Sequence, residues 1–197
     1  MINNKILHLF LLLFTASTTW SETFEIGGLY TYHYHDGRYA DWGDYARVSA
    51  LIAIEDINKN NFLGDSDQLN MSPENLIDYH CWPSNAAVMA ETLIKKNILI
   101  LTGTDCSSPA VEIAKVASEY KIPVISNGAN ASSLSSKENY PWFIRVVTPS
   151  EEYDRYLIEL AAHFKVKEIA YFYTTDAWGL GAKKVVHESV KKKNIII

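Results

Sequence analysis

The residues of this sequence best suited to chemistry lie between Cys81 and Ser133. Cys81 stands in Tyr79-His80-Cys81-Trp82-Pro83, and Cys106 in Thr102-Gly103-Thr104-Asp105-Cys106-Ser107-Ser108-Pro109. A third group reads Lys121-Ile122-Pro123-Val124-Ile125-Ser126-Asn127-Gly128-Ala129-Asn130. Apolar runs that end in hydroxyl- and glycine-rich turns describe the rim of an open α/β sheet, where small ligands bind. Ser107, at a strand-to-helix turn, offers a hydroxyl. With the free N–H groups of a helix start it can bind a carboxylate without any full positive charge. Pro109 removes one of those donors. Ser108-Pro109 is also a helix-start pair, so simple capping competes with ligand contact at both serines, most strongly at Ser108.

Other candidate chemistry is thinner. Tyr32-His33-Tyr34-His35-Asp36 places His33 and His35 on one side of an extended segment, with Asp36 nearby. Two ligands and a doubtful third make a poor metal site, and a solvated loop above the pocket is the expectation. Nothing reads as a nucleophile with its base, a phosphate-binding glycine loop or a paired-carboxylate site. The reading is therefore a ligand binder and not an enzyme, with no metal and no cofactor.

The bulk properties agree. The chain has 197 residues, 48% apolar and 21% charged, with a formal charge of −5. No basic face suggests nucleic acid; Lys191-Lys192-Lys193 suits a helix C-terminus. Residues 1–21 read as a secretory signal peptide: a start carrying Lys5, an apolar run from Ile6 to Phe14, then small residues. Export makes a disulfide the expected state of an even cysteine pair. Cys81 and Cys106 each end an expected strand, and adjacent parallel strands bring such ends within bridging distance. A periplasmic or extracellular location follows.

Strand and helix signals alternate along the rest. Strands are expected at Phe24 to Tyr32, Asn75 to Tyr79, Ile98 to Leu101, Pro123 to Ser126, Trp142 to Val146 and Ile169 to Tyr173. Helices are expected at Trp42 to Asn58, from Ser84 to Lys95, from Ser108 to near Tyr120, from Ser150 to Phe164, and at Leu180 to Lys193. The first helix should bury Val48, Leu51, Ile52, Ile54 and Ile57; the second, Ala87, Val88, Leu93 and Ile94. This alternation implies a doubly wound, mostly parallel α/β sheet. Asn194 to Ile197 looks like the start of another strand, so a truncated chain is expected.

These residues, in order, resemble the type I periplasmic binding proteins, a family that shares its fold with the extracellular ligand-binding domains of glutamate-type receptors. Ala50-Leu51-Ile52-Ala53-Ile54-Glu55-Asp56-Ile57-Asn58 is similar to the family's first helix, and Cys81 with Cys106 to its first-lobe disulfide. Ile122-Pro123-Val124-Ile125-Ser126 resembles the strand entering its second ligand turn. Trp142-Phe143-Ile144-Arg145, with Pro149-Ser150 and Asp154, resembles the crossing into its second lobe. Asp176-Ala177-Trp178-Gly179-Leu180-Gly181 resembles the second-lobe turn that carries an aromatic residue over the ligand.

The resemblance implies two lobes that close on a small ligand: residues 22–146 as the first and residues 147–197 as the opening of the second. It implies a ligand set of Ser107, Gly128, Asn130, Trp178 and Trp42, with Tyr153 a weaker candidate at the hinge. The Gly128 carbonyl would face an amino group. Asn130 stands where the family carries a hydroxyl residue; it can still donate, but it is larger. Asn130-Ala131-Ser132 is also a glycosylation sequon, as is Asn70-Met71-Ser72, and a glycan at Asn130 would block the pocket. The expected function is capture of a small polar solute, an amino acid, for an ABC transporter whose membrane permease is the partner. The alternatives are a sensory receptor ectodomain, in which closure signals, and a fragment without function.

Overall fold

A computed structural model describes residues 21–64 and 66–197. The expected signal peptide lies, except for Ser21, outside the described residues. Six strands form one sheet in which every pairing is parallel: β1 Thr23–Tyr30, β2 Gln68–Asn70, β3 Leu76–Asp78, β4 Ile100–Gly103, β5 Val124–Ser126 and β6 Phe143–Arg145. β1 is central. Its first half pairs with β2 (Phe24 with Leu69) and its second half with β3 on the same side (Leu29 with Ile77), while β4 lies on the other. β5 and β6 continue outward from β4.

This order corrects one sequence expectation. The strands that precede Cys81 and Cys106 are not neighbours; they flank β1. The disulfide still forms, with Cα atoms 5.6 Å apart, because it passes over the end of the strand between them. The chain winds outward in both directions from β1, so connections leave on opposite faces at the β1–β4 boundary. Such a boundary opens a crevice beyond the strand ends.

Alternation along β1 splits the core in two. Ile26 and Tyr30 face α1 (Asp41–Lys59), in a cluster with Met71, Leu51 and Ile54. Leu29 faces the other side, where α2 (Pro83–Ile94) and α3 (Ser107–Tyr120) cover the sheet. α3 buries Ala110, Ile113, Ala114 and Ala117, and α2 buries Ala86, Ala90, Leu93 and Ile94. The alanines in those helical stripes let two helices lie close over one sheet. Three of the expected inward positions fail. Val88 is 63% exposed because the Ala86–Ala90 stripe is the one turned to the sheet. Val48 and Ile52 likewise lie on the outer side of α1.

Helix starts differ from expectation as well. α2 begins at Pro83, with Trp82 and not Ser84 at the cap. α3 begins at Ser107, with Cys106 at the cap and no side-chain cap bond from either serine. The hydroxyls are engaged elsewhere: Ser107 Oγ accepts from Ala131 N (3.1 Å) and Ser108 Oγ from Ala177 N (3.3 Å).

A second, smaller cluster joins α4 (Ser150–His163) and α5 (Ala177–Lys193) through Ile158, Val186, Val190 and Ile195. The strands expected at Ile169 to Tyr173 and from Asn194 reduce to one parallel bridge, Glu168 with Ile196. Phe172 is 91% exposed there, so this stretch has no covering layer among the described residues. Arg145, at the end of β6, ties this cluster to the sheet: its guanidinium donates to Ala131 O (2.9 Å) and to Ser135 Oγ, with Glu151 of α4 3.8 Å away.

The sheet depends on one close approach. Gly103 ends β4 with φ +96°, and a Cβ there would lie 2.1 Å from Leu29 O. Gly103→Ala is therefore expected to cost at least about 2 kcal/mol, from left-handed strain and backbone collision together. Urea melts check this; a midpoint unchanged from wild type contradicts it.

Candidate functional site

The exit from β4 builds the site. Thr104 N donates to Leu29 O (2.7 Å), which fixes the turn against the end of β1. Thr104 itself has φ +60°, strained for a β-branched residue, and such strain collects at ligand sites. Cys106 N donates to the buried Tyr79 hydroxyl (2.8 Å), and the disulfide then joins Cys106 to Cys81. With the turn held at both ends, Ser107 and Ser108 open α3. Amides in the first turn of a helix have no partner inside it and point outward.

The β5 exit forms the opposite wall. Ser126 Oγ donates to Thr104 O (2.8 Å) and accepts from Ala129 N (2.9 Å), so the two turns are latched through one buried hydroxyl. Gly128 passes close over the first turn; a Cβ there would lie 2.8 Å from Asp105 O. Asn130 O accepts from Ser150 N (2.8 Å), linking this turn to α4. The third wall is the start of α5, where Asp176 Oδ1 accepts from Gly179 N (2.9 Å) and so orients Trp178.

Between them lies a cavity of about 500 Å³, lined by Ser107, Ser108, Gly128, Asn130, Asp176 and Trp178, with Asp105, Pro109 and the disulfide. Ser107, Gly128, Asn130 and Trp178 are thus brought together. Trp42 is not: it stands at the start of α1, where its Nε1 donates to Tyr34 O–η (3.0 Å). Tyr153 is half exposed on α4 and also lies off the cavity. His33 and His35 line a separate cavity of about 460 Å³ and have partners already, Asp78 at 3.0 Å and the edge of Trp82 at 4.5 Å between ring centres. Asp36 pairs with Arg38. Among the described residues no group of three His, Cys, Asp or Glu could hold a metal ion.

Two wall residues escaped the sequence reading, Asp105 and Asp176. The signal was present: an acid one residue before Cys106, and an acid two residues before a turn tryptophan, both in segments already singled out. Asp105 is 7% exposed. Burial pushes its carboxyl up to about 6, against the opposing pull of the Asn127 side chain and the Thr31 N–H. Among the described residues, no lysine, arginine or histidine lines the cavity.

A doubly wound parallel sheet with a crevice at its winding reversal is the fold of the type I periplasmic-binding class. The family model described as receptor family ligand binding region matches residues 46–197, and the chain belongs to that family. It is similar to mgl-1 of Caenorhabditis elegans, named as a metabotropic glutamate receptor, with 30% identity over 117 residues, 58% of this chain and 12% of that protein. The leucine-, isoleucine-, valine-, threonine-, and alanine-binding protein of Pseudomonas aeruginosa is 24% identical over 160 residues, 81% of this chain and 42% of the relative. Subunit 1 of the gamma-aminobutyric acid type B receptor of C. elegans is 24% identical over 191 residues, covering 93% of this chain and 21% of the receptor. The chain therefore spans less than half the length of each of these relatives. These family members are ligand-binding proteins and receptors. Among the described residues no helix is long and apolar enough to cross a membrane.

The environment of Asp105 has a consequence for stability. Its folded-state pKa is raised, so the folded protein holds that proton more tightly than the unfolded chain does. Ionisation then destabilises the fold, and this contribution worsens as pH rises from about 4 through about 6. Asp105→Asn keeps the shape and an acceptor for Thr31 N. The variant should be more stable than wild type by about 1–3 kcal/mol at pH 8, a gain that shrinks toward zero near pH 4. Urea melts across that range check it; a pH-independent difference contradicts it.

Proposed function

We propose that this protein is exported and captures a small polar solute, an amino acid, in the cavity between the β4 and β5 exits and the Trp178 turn. The observation that carries the reading is the convergence of Ser107, Gly128, Asn130 and Trp178 on one cavity beside a helix start. Ser107 Oγ accepts from Ala131 N and keeps its own proton to donate. That proton and the first amides of α3 would hold a carboxylate. The Gly128 carbonyl would accept from the ammonium, Asn130 would bond the polar end, and the Trp178 face would cover the apolar part.

Residues 22–146 would form the first lobe and residues 147–197 the opening of a second, with Arg145 near their junction. Binding would draw the two together, shifting the balance between open and closed forms. Delivery to an ABC-transporter permease is the leading role, supported by the similarity to the Pseudomonas aeruginosa binding protein. A sensory ectodomain is the second reading, favoured by the receptors among the relatives.

Thermal shift with a panel of amino acids tests the capture reading. At least one should raise the melting temperature in a concentration-dependent way. Ser107→Ala and Trp178→Ala should each weaken that ligand's affinity by about tenfold, the loss of one good hydrogen bond or aromatic contact. No stabilisation by any amino acid, or wild-type affinity in both variants, would sink the proposal.

A further inference from the structure

The carboxyl of Asp105 has no task in the capture scheme, yet its position is unusual. Oδ2 accepts from Thr31 N (3.2 Å), but Oδ1 is buried and without a hydrogen-bond partner among the described residues. The hydroxyl of Thr104 is buried and unpartnered in the same way. Gly128, which should face the ligand's ammonium, passes directly over the Asp105 backbone. The charges among the residues lining the cavity are the two carboxylates, Asp105 and Asp176, with no cation to balance them. Asp176 is engaged by Gly179 N (2.9 Å) and by the Thr174 hydroxyl (2.6 Å). Asp105, at 7% exposure, is the poorly compensated one. A charge removed from water acts on its surroundings more strongly than an exposed one.

We propose that Asp105 sets the charge class of the ligand: ionised, it favours a molecule with an ammonium and at most one carboxylate over a dicarboxylate, and protonated, it relaxes that preference. The inference rests on the capture reading and adds to it which amino acids are refused. An ammonium held at Gly128 would approach the buried charge and be stabilised, whereas a second carboxylate would be repelled. Asp105 acts here through its field as a specificity-determining residue, not through a contact.

The titration is local to one group. Facing Asp105 are Tyr30 and Thr31 at the end of β1, Tyr79 beyond β3, and Asn127 beyond β5; Asp176 stands across the cavity. Burial pushes both phenols upward, Tyr30 to about 12, so neither changes charge near neutrality. The helix start at Ser107-Ser108-Pro109 contributes no titratable side chain. His33, His80 and Asp78 belong to the other cavity's surroundings.

The test is calorimetry with L-leucine, 4-aminobutyrate and L-glutamate at pH 7.5 and pH 5.0, on the purified protein and on Asp105→Asn. In wild type the affinity for glutamate relative to leucine should rise on the order of tenfold as the pH falls, the effect of a unit charge about 10 Å away at an effective dielectric near 20. The variant should show the raised ratio at both pH values. A ratio that ignores pH, or that Asp105→Asn leaves unchanged, overturns the inference and leaves amino-acid capture standing. Absence of binding by all three probes, together with a null amino-acid panel, overturns both. Should the variant fail to fold, carbon-detected NMR of the Asp105 carboxyl in wild type decides alone. A midpoint near 6 that falls when leucine binds supports the inference; an ordinary carboxylate midpoint, or one indifferent to leucine, overturns it.

Discussion

The approach of the β4 exit to the end of β1 governs much of this structure. Gly103 can turn there because it lacks a Cβ, and Thr104 N then bonds Leu29 O in place of a side chain filling that space. Three consequences follow in sequence. Asp105 is carried under the end of β1, where its carboxylate meets Thr31 N. Cys106 is carried to Tyr79 and Cys81, closing a staple across β1. Ser107 and Ser108 are left as the first residues of a helix aimed at the crevice. A wider separation of the two strand ends would disturb all three together.

The staple and the latch play complementary parts. The disulfide fixes the first turn from the side of β3, and Ser126 fixes it from the side of β5. Each holds backbone, so the groups that face the cavity stay free of scaffold duties or share them lightly. Ser107 shows how light that sharing is: its oxygen accepts one bond from Ala131 and its proton is left over. The cavity is consequently rigid on two sides. Its third side, the Trp178 turn, reaches it through Ser108 Oγ and the contact of Gly181 with Ser132. That side belongs to the smaller cluster, the natural place for movement because fewer buried contacts restrain it.

Much of this was legible in the sequence, for identifiable reasons. Ile98 to Leu101 and Pro123 to Ser126 are apolar runs closed by turn residues, and the strands sit within two residues of them. Ser107, Gly128 and Asn130 stand in hydroxyl- and glycine-rich turns after strands, which mark the rim of a parallel sheet, whereas Trp178 is indicated only by the family resemblance. The order of the strands was less accessible. Nothing local says that β3 and β4 lie on opposite sides of β1, since that follows from the handedness of successive crossovers. The helix face at Val88 differs from expectation because a small-residue stripe, Ala86 and Ala90, outcompetes larger side chains where helices crowd together. Asp105 stayed hidden because its distinctive property is burial, which depends on the Gly103 turn and on Thr31, far away in sequence. Trp42 carried the right residue type and the right following glycine, yet the fold sends it to Tyr34 instead.

The central claim is that the cavity beside Ser107 is where the ligand binds. A two-dimensional amide NMR titration with L-leucine addresses it most directly. Shifts should concentrate at Ser107, Ser108, Gly128, Asn130 and the Trp178 indole. Shifts gathered instead around His33, His35 and Trp82, or none at saturating ligand, would contradict it.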